Sequence, residues 1–438
     1  MKAHNIIKCV LALSMAVASV TSCQEKIGGF AKGEAVRFSV GTDAVSTKAV
    51  YSGQGTSTIE RIDWQEGDLI RIYCEQVSEP SDKFADYRVT SDITASESNS
   101  TAHIEGLGGV GLRWGDGNHT FYAVYPSPEE GGSVTTGISI GSYENGGTKS
   151  TVSESIAGAI VTANLPAKQA VIGGVTETPS GSGNYIAAPD LKNMLMTAKS
   201  AEYSPETGIT DDVFLSFTPL TTAIKFTITN QTEAPLTIKS VSLTSAASAL
   251  SGPFEVNMDN NSVPASIDLD GDGSNTGDKD IKYSRSYPEC TYTGSVSDAT
   301  KTVTINFASP VELAYDEVLA NCGKLTFTFF LQPCKDYFDD LTFKITKSDD
   351  SWMSTKLGYT DGTGVLFPRF KKTTVTGLLV PKGAQWRVKF EPDIVKWNAE
   401  QGEHDELNLE YPEGEVAPIM TEWATGEWKD LLLEDNND

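Results

Sequence analysis

One stretch of the sequence has the residue types and spacing of a calcium-binding loop. Asp268, Asp270 and Asp272 stand at alternate positions, and Gly273 follows the third of them. A hard divalent cation needs several converging oxygen atoms, which aspartates spaced in this way can supply. The twelfth position of the stretch is Lys279 in place of a bidentate glutamate, and no helix pattern flanks it. Two interpretations stay open, a Ca²⁺ site and a solvated acidic turn between strands.

The residue types that catalysis uses most often are sparse. His103, His119 and His404 lie far apart in the sequence, which leaves little for a zinc site or a catalytic triad. No nucleophile elbow and no P-loop spacing is present. Carboxylates are abundant, but nothing singles out a pair for glycoside hydrolysis. We therefore expect that the protein is not an enzyme and that, apart from Ca²⁺, it uses no cofactor.

Short alternating runs predict strands, and the clearest set lies over Ser216–Met258. Residues 224–229 alternate between apolar and polar side chains, the period-2 pattern of a strand with one buried face. Asn230–Pro235 suits a hairpin loop. The apolar positions of the returning strand change parity around Lys239–Ser240, which a β-bulge would produce. A third alternating run, Phe254–Met258, completes a predicted antiparallel meander.

Similar runs along the rest of the chain indicate an all-β protein with sandwich-type domains, since strands recur roughly every 8–15 residues. A polar segment with Pro205 and Gly208 marks the expected boundary between two domains. We expect the following organisation: a signal peptide over 1–22, a linker over 23–34, an N-terminal β-sandwich domain over 35–210, a C-terminal β-sandwich domain over 211–399, and an acidic tail over 400–438.

The N-terminus has the pattern of a lipoprotein signal peptide. Lys2 and Lys8 flank the start of an apolar stretch of about a dozen residues, too short to span a bilayer. Cys23 ends a lipobox-like run of small residues, so we expect it to be diacylated after residues 1–22 are removed. Two acyl chains give stable membrane anchoring. The alternative is an ordinary signal peptide with a cysteine near its end.

Net charge and cysteine content give further expectations about the class of protein. The formal net charge is −25, so the chain should repel nucleic acid and anionic lipid surfaces. Cys74 continues the alternation of the strand before it, which predicts a buried thiol. Cys290, Cys322 and Cys334 could form a disulfide, most plausibly Cys322–Cys334, although sequence alone does not establish the pairing.

The acidic tail contains an unusual cluster of large apolar residues. It has thirteen acidic residues and one lysine, yet Trp428, Leu431, Leu432 and Leu433 lie close together in it. An acidic terminus usually stays solvated. Exposure of these four apolar side chains to water is unfavourable. We therefore expect a strand that either enters a groove of another subunit or folds back on its own domain.

Several short motifs follow one another along the chain. They are Trp64–Asp68 leading into Leu69–Tyr73, Tyr122–Pro126, Leu165–Gln169, Met194–Ser200 and Leu215–Asn230. Their order and spacing extend over most of the chain, from about residue 36 to about residue 397. Together they resemble the fimbrillin family of surface lipoproteins and pilus subunits from Bacteroidetes.

The resemblance implies two transthyretin-like β-sandwich domains in tandem and assembly with other fimbrial subunits by β-strand addition. In such pilins an arginine-specific protease removes an N-terminal strand, and a C-terminal strand of the next subunit fills the groove. Arg61 is the best-placed arginine for removing the strand over Val36–Val40. The implied location is the cell outer membrane, surface-exposed and lipid-anchored, or the fimbrium, with a role in adhesion.

Two other readings stay open. A glycan-binding surface lipoprotein of a polysaccharide-uptake system would need an exposed aromatic platform, and Trp114 and Trp352 lie beside loop residues that would suit one. Core packing is the simpler explanation for both. An accessory or tip subunit that never polymerises is the third reading.

Overall fold

The structure, a computed structural model, describes fourteen segments of the chain. They are residues 32–41, 64–95, 100–128, 139–142, 159–178, 183–204, 212–262, 287–357, 365–367, 369, 372–379, 386–387, 393–395 and 432–435. Within them the regular structure is β-strand, together with short 3₁₀ turns at Leu107–Gly109, Leu191–Met194 and Leu319–Asn321. The all-β prediction is therefore confirmed. No helix among these residues is long and apolar enough to span a bilayer.

The strands are numbered here in chain order. They are β1 (Phe38–Gly41), β2 (Leu69–Tyr73), β3 (Phe84–Ala95), β4 (Ser100–Gly106), β5 (Tyr122–Tyr125), β6 (Ser139–Ser142), β7 (Ala159–Leu165), β8 (Lys168–Gln169), β9 (Val171–Glu177), β10 (Asn184–Pro189), β11 (Met196–Lys199), β12 (Val213–Pro219), β13 (Thr222–Asn230), β14 (Leu236–Ser245), β15 (Gly252–Ser262), β16 (Tyr287–Tyr292), β17 (Thr302–Leu313), β18 (Lys324–Leu331), β19 (Tyr337–Phe338), β20 (Leu341–Lys347), β21 (Trp352–Lys356), β22 (Val365–Leu366), β23 (Lys372–Leu379), β24 (Trp386–Arg387), β25 (Asp393–Val395) and β26 (Leu432–Asp435).

Seven strands close into a barrel in the order β1-β12-β11-β5-β2-β3-β4. A separate sheet, β16-β15-β7-β6, shares the hydrophobic core of this barrel through residues such as Val161 and Phe254. Trp64 is buried inside, edge-on to Tyr125 and Phe217 with ring centroids 5.5 Å and 5.4 Å away. Trp64 is thus a core residue.

Two larger sheets face each other across a second core. Their strand orders are β25-β23-β13-β18-β10-β9 and β24-β26-β21-β20-β14-β17-β8. Phe226 on β13 stacks on Phe343 of the facing sheet, with ring centroids 4.9 Å apart. Buried residues of both sheets belong to the same core, so this part of the chain is a β-sandwich.

Strand pairing crosses the boundary that the sequence predicts after residue 210. The later strand β12 lies in the barrel between β1 and β11, and β15 pairs with the earlier strand β7. In the other direction, β10 pairs with β18 and β8 pairs with β17. Each of the two cores is therefore built from both halves of the chain.

The predicted meander over Ser216–Met258 is wrong, although its strands exist. β13 pairs with β18 and β23, β14 pairs with β17 and β20, and β15 pairs with β7 and β16. The loop after β13 passes from one sheet of the sandwich to the other instead of forming a hairpin. Asn230 holds that crossing, because its buried Nδ2 donates to the carbonyl oxygens of Ala234 and Leu313 at 2.9 Å and 2.8 Å. The predicted bulge is confirmed, since the register of β14 shifts between Ile238 and Ser240.

The four cysteines of the described segments are free thiols. The expected Cys322–Cys334 disulfide is therefore wrong: β18 runs between these residues, and its extended backbone, rising about 3.3 Å per residue, holds the sulfurs far apart. Cys74 is buried, as predicted, and desolvation raises the pKa of its thiol to about 11.

Candidate functional site

The first strand closes the barrel between two strands from distant parts of the chain. β1 pairs parallel with β12 and antiparallel with β4. Its inward side chains are Val36, Phe38 and Val40, all buried. The Phe38 ring lies edge-on to Tyr87 and Phe121, with centroids 5.1 Å and 5.0 Å away. This small strand therefore fills a slot that has both backbone partners and side-chain pockets.

The segment just before β1 is also held by backbone hydrogen bonds. The Gly33 N–H donates to the Trp114 carbonyl at 2.8 Å, and the Trp114 N–H donates to the Glu34 carbonyl at 2.9 Å. The Val36 N–H donates to the Leu112 carbonyl at 2.9 Å. The bonded segment thus runs without a break from residue 33 to residue 41, and the prediction of a strand here is confirmed.

The C-terminal strand is paired within its own chain. β26 runs antiparallel to Met353–Thr355 of β21 and to both residues of β24. Leu432 and Leu433 therefore belong to the sandwich, in the sheet that contains β21. Trp428 and Leu431, the other two members of the predicted exchange strand, lie outside the described residues.

The remaining predicted site residues also lie outside the described part of the chain. They are the lipidation candidate Cys23, the processing candidate Arg61, the calcium candidates Asp268, Asp270 and Asp272, and His404. Among the described residues, no three His, Cys, Asp or Glu side chains come together in a way that could hold a metal ion.

His119 is a structural residue of the barrel. It is fully buried, and its Nε2 accepts a hydrogen bond from the Gly115 N–H at 3.0 Å. Nδ1 lies 2.9 Å from the Gly117 carbonyl oxygen, to which a proton on that nitrogen would be donated. Burial lowers the pKa of this imidazole. His119 lies edge-on to Trp114, with ring centroids 4.9 Å apart.

Acidification is expected to destabilise the barrel through His119. Because burial holds the folded-state pKa below the ordinary value of 6.5, the unfolded chain binds the proton first as the pH falls. The free energy of unfolding should then decrease below about pH 6.5, by at most about 1.4 kcal/mol per pH unit from this group. Urea unfolding at pH 7.5, 6.5 and 5.5 checks this against a His119→Gln variant, which should lose that share of the slope. Equal slopes in the two proteins would contradict the assignment.

The two candidate tryptophan platforms differ in exposure. Trp114 is buried at 4% exposure beside His119 and Phe121, so core packing is confirmed for it. Trp352 is half-buried on β21, and the Lys344 Nζ lies 4.5 Å from the centroid of its ring. Neither offers a bare aromatic face.

An exposed aromatic residue beside the slot was missed at the level of sequence. Phe214 on β12 is 42% exposed, although Val213 and Leu215 on either side of it are buried. An apolar ring at the outward position of an otherwise alternating strand is the signal that could have revealed it.

Comparisons with known proteins give structural neighbours only. No protein-family model and no curated relative matches the chain. A "putative cell adhesion protein" from Bacteroides ovatus matches with 12% identity and a TM-score of 0.43, covering 85% of this chain and 100% of that one. A second, from Bacteroides uniformis, has 14% identity and a TM-score of 0.39, with coverage of 83% and 99%.

A fimbrial protein is also among the neighbours. The tip fimbrial protein Mfa3 from Porphyromonas gingivalis, solved with a C-terminal truncation, has 9% identity and a TM-score of 0.30, with coverage of 83% and 99%. These neighbours are "putative cell adhesion" proteins and a fimbrial protein of Bacteroidetes.

Proposed function

We propose that this chain is a lipid-anchored subunit of a cell-surface fimbria that assembles by strand addition and serves adhesion. The observation that carries the proposal is the position of β1, a four-residue strand that closes the barrel between β4 and β12. In this proposal the barrel with its sheet and the sandwich are the two transthyretin-like units that the sequence motifs imply.

Removing β1 would create a groove with the chemistry of a strand acceptor. The backbone N–H and C=O groups of β4 and β12 that now bond to β1 would lose their partners, which is costly unless another strand replaces it. The pockets of Val36, Phe38 and Val40 would open at the same time. An incoming strand with large apolar side chains at alternate positions satisfies both requirements at once.

Processing at Arg61 fits this arrangement. Arg61 lies in the connection between the end of β1 at Gly41 and the buried Trp64. A cut there leaves β1 held only by non-covalent contacts. It also separates the body of the subunit from Cys23, the proposed lipid attachment site.

The C-terminal segment is the proposed donor. Trp428 and Leu431–Leu433 carry the apolar side chains that a groove would receive. β26 pairs with β21 and β24 of its own chain, so donation requires this strand to exchange its partners. The tail would then have two states, one folded back on the sandwich and one inserted in a neighbour.

The experiment uses residues 23–438 without the acyl chains, treated with an arginine-specific protease. We expect the treated protein to form a ladder of multimers that resists unheated SDS, since strand insertion is slow to reverse. Arg61→Lys should stay monomeric, whereas Arg88→Lys, an exposed arginine on β3, should behave as the original chain. Truncation after Pro412 should permit the cut and abolish the ladder.

Two results would contradict the proposal. The first is a cut chain that loses β1 and remains monomeric at high protein concentration. The second is a ladder from Arg61→Lys equal to that of the original chain, which would remove the processing site. If truncation after Pro412 lowers the melting temperature without affecting the ladder, the tail serves only its own sandwich.

Neither candidate platform of the glycan-binding alternative is bare, because Trp114 is in the barrel core and Lys344 lies over the Trp352 ring. No observation among the described residues favours it over strand addition.

A further inference from the structure

The outward positions of β1 carry small residues, and side chains of its neighbours close over them. Ser39 and Gly41 point away from the core, opposite the inward Phe38 and Val40. Ser39 lies directly between His103 of β4 and Phe214 of β12 in the strand registers. Larger side chains on β1 would occupy the space that these two neighbours use.

A polar contact passes across the outside of β1. His103 Nδ1 lies 3.0 Å from Asp212 Oδ2, although His103 is on β4 and Asp212 immediately precedes β12 on the other side of β1. Arg37 Nε lies 3.5 Å from Asp212 Oδ1, and Asp92 Oδ2 lies 3.6 Å from His103 Nε2. The small Ser39 side chain leaves room for this contact.

The Phe214 ring occupies the space above Gly41. A Cβ added at Gly41 would lie well inside van der Waals contact with that ring and 3.1 Å from Thr101 Cγ2. The backbone of Gly41 is outside the left-handed region, so the backbone itself would accept any residue. Glycine is required here for the space alone, and an aromatic ring leaning over a cross-strand glycine is a recognised pairing in sheets.

From this geometry we infer that the slot of β1 is selective for its occupant. It binds most tightly an extended strand with large apolar residues at three inward positions and small residues at the two outward positions equivalent to Ser39 and Gly41. No register of Trp428–Leu433 meets both conditions, so the C-terminal segment would enter this slot with a penalty. Phe214 and Thr101 impose the second condition at Gly41, and His103 and Phe214 are the neighbours of Ser39. The inference rests on the proposed function, because selection matters only where another strand replaces β1.

The first test needs no strand exchange and uses the full mature chain. Gly41→Val should lower the melting temperature and speed proteolysis before Trp64, because the valine displaces the Phe214 ring. In a Phe214→Ala background the same Gly41→Val change should cost clearly less, the remaining cost coming from Thr101. Thr218→Ala, an exposed position of β12 beyond the end of β1, is the matched control background and should not rescue. Additive effects of Gly41→Val and Phe214→Ala would overturn the inference.

The second test measures selection directly on the chain cut between β1 and β2. A fluorescent peptide with the sequence of Glu34–Gly41 should enter the slot. The same peptide with valine at the position of Gly41 should bind roughly tenfold more weakly, the penalty of forcing one ring off its preferred rotamer. Phe214→Ala in the protein should clearly reduce this difference.

The two ways of failing can be separated. Equal binding of both peptides to the original chain overturns selectivity and leaves strand addition standing. If even the matching peptide never enters the cut chain, strand addition by this slot fails. The effect of Phe214→Ala on the cost of Gly41→Val in the intact chain then still shows whether the outer face of the slot disfavours larger residues at position 41.

Discussion

Replacing Phe226 with alanine is expected to lower the free energy of unfolding by about 3–5 kcal/mol. The ring is fully buried in the sandwich core. It stacks on Phe327 with a centroid distance of 5.5 Å and on Phe343 at 4.9 Å, and it lies edge-on to Phe329 at 5.9 Å. Alanine would leave a cavity between two sheets that cannot collapse, since each is held by its own hydrogen bonds. Such a loss is a large part of the roughly 5–15 kcal/mol that stabilises most proteins.

Thr227→Ala is the matched control for this prediction. Thr227 lies next to Phe226 on the opposite face of β13, where its hydroxyl meets that of Thr326 at 3.0 Å. Its loss should cost about 1 kcal/mol or less, the usual net worth of a hydrogen bond at a partly exposed position. Urea unfolding followed by tyrosine and tryptophan fluorescence measures both variants. Equal losses for the two would mean that the aromatic stack does not hold the sheets together.

Local alternation predicted the core residues of this region correctly. Ile224, Phe226 and Ile228 are all fully buried, and the change of parity after Ile238 marks a real bulge. Pairing partners were not predictable in the same way. An alternating pattern records which face of a strand is buried, whereas the backbone edges that select neighbours are chemically alike in every strand. The hairpin between β13 and β14 was therefore a plausible but wrong choice.

The candidate site was also predictable from the sequence only in part. A strand over Val36–Val40 and its inward face followed from the sequence. The strands that flank it, β4 and β12, could not be predicted from the sequence. Both lie far along the chain, and β12 runs parallel to β1. The outward residues of the slot come from three separate segments, and their proximity exists only in the closed barrel. The tail's apolar residues suggested a strand, and the structure gives Leu432 and Leu433 a place within their own chain.

The second large effect is expected at Gln169, the last residue of the family-like motif Leu165–Gln169. Its side chain is buried. It forms hydrogen bonds with the backbone of β18 beyond the last residue that pairs with β10, since the β10–β18 pairing covers only Lys324–Thr326. Gln169 Nε2 donates to the Phe330 carbonyl at 2.7 Å, and Oε1 accepts from the Phe330 N–H at 2.9 Å. An amide side chain thus acts here as a strand partner. β8 and β18 belong to the two facing sheets of the sandwich, so this contact joins those sheets beside the barrel core, into which the Phe330 ring packs.

Gln169→Ala is therefore expected to lower the free energy of unfolding by about 3 kcal/mol, because it strands two buried backbone groups at roughly 1–3 kcal/mol each. Gln169→Glu should be at least as harmful at neutral pH, since a carboxylate cannot donate to the Phe330 carbonyl and its charge is buried. Lowering the pH should partly restore this variant, because the protonated acid regains a donor. Lys168→Ala, at the exposed neighbouring position, is the control and should change stability by less than about 0.5 kcal/mol. Urea unfolding at pH 7 and pH 5 measures all four proteins. If Gln169→Ala matched Lys168→Ala, the hydrogen bonds of the glutamine would not be what joins the two sheets at this edge.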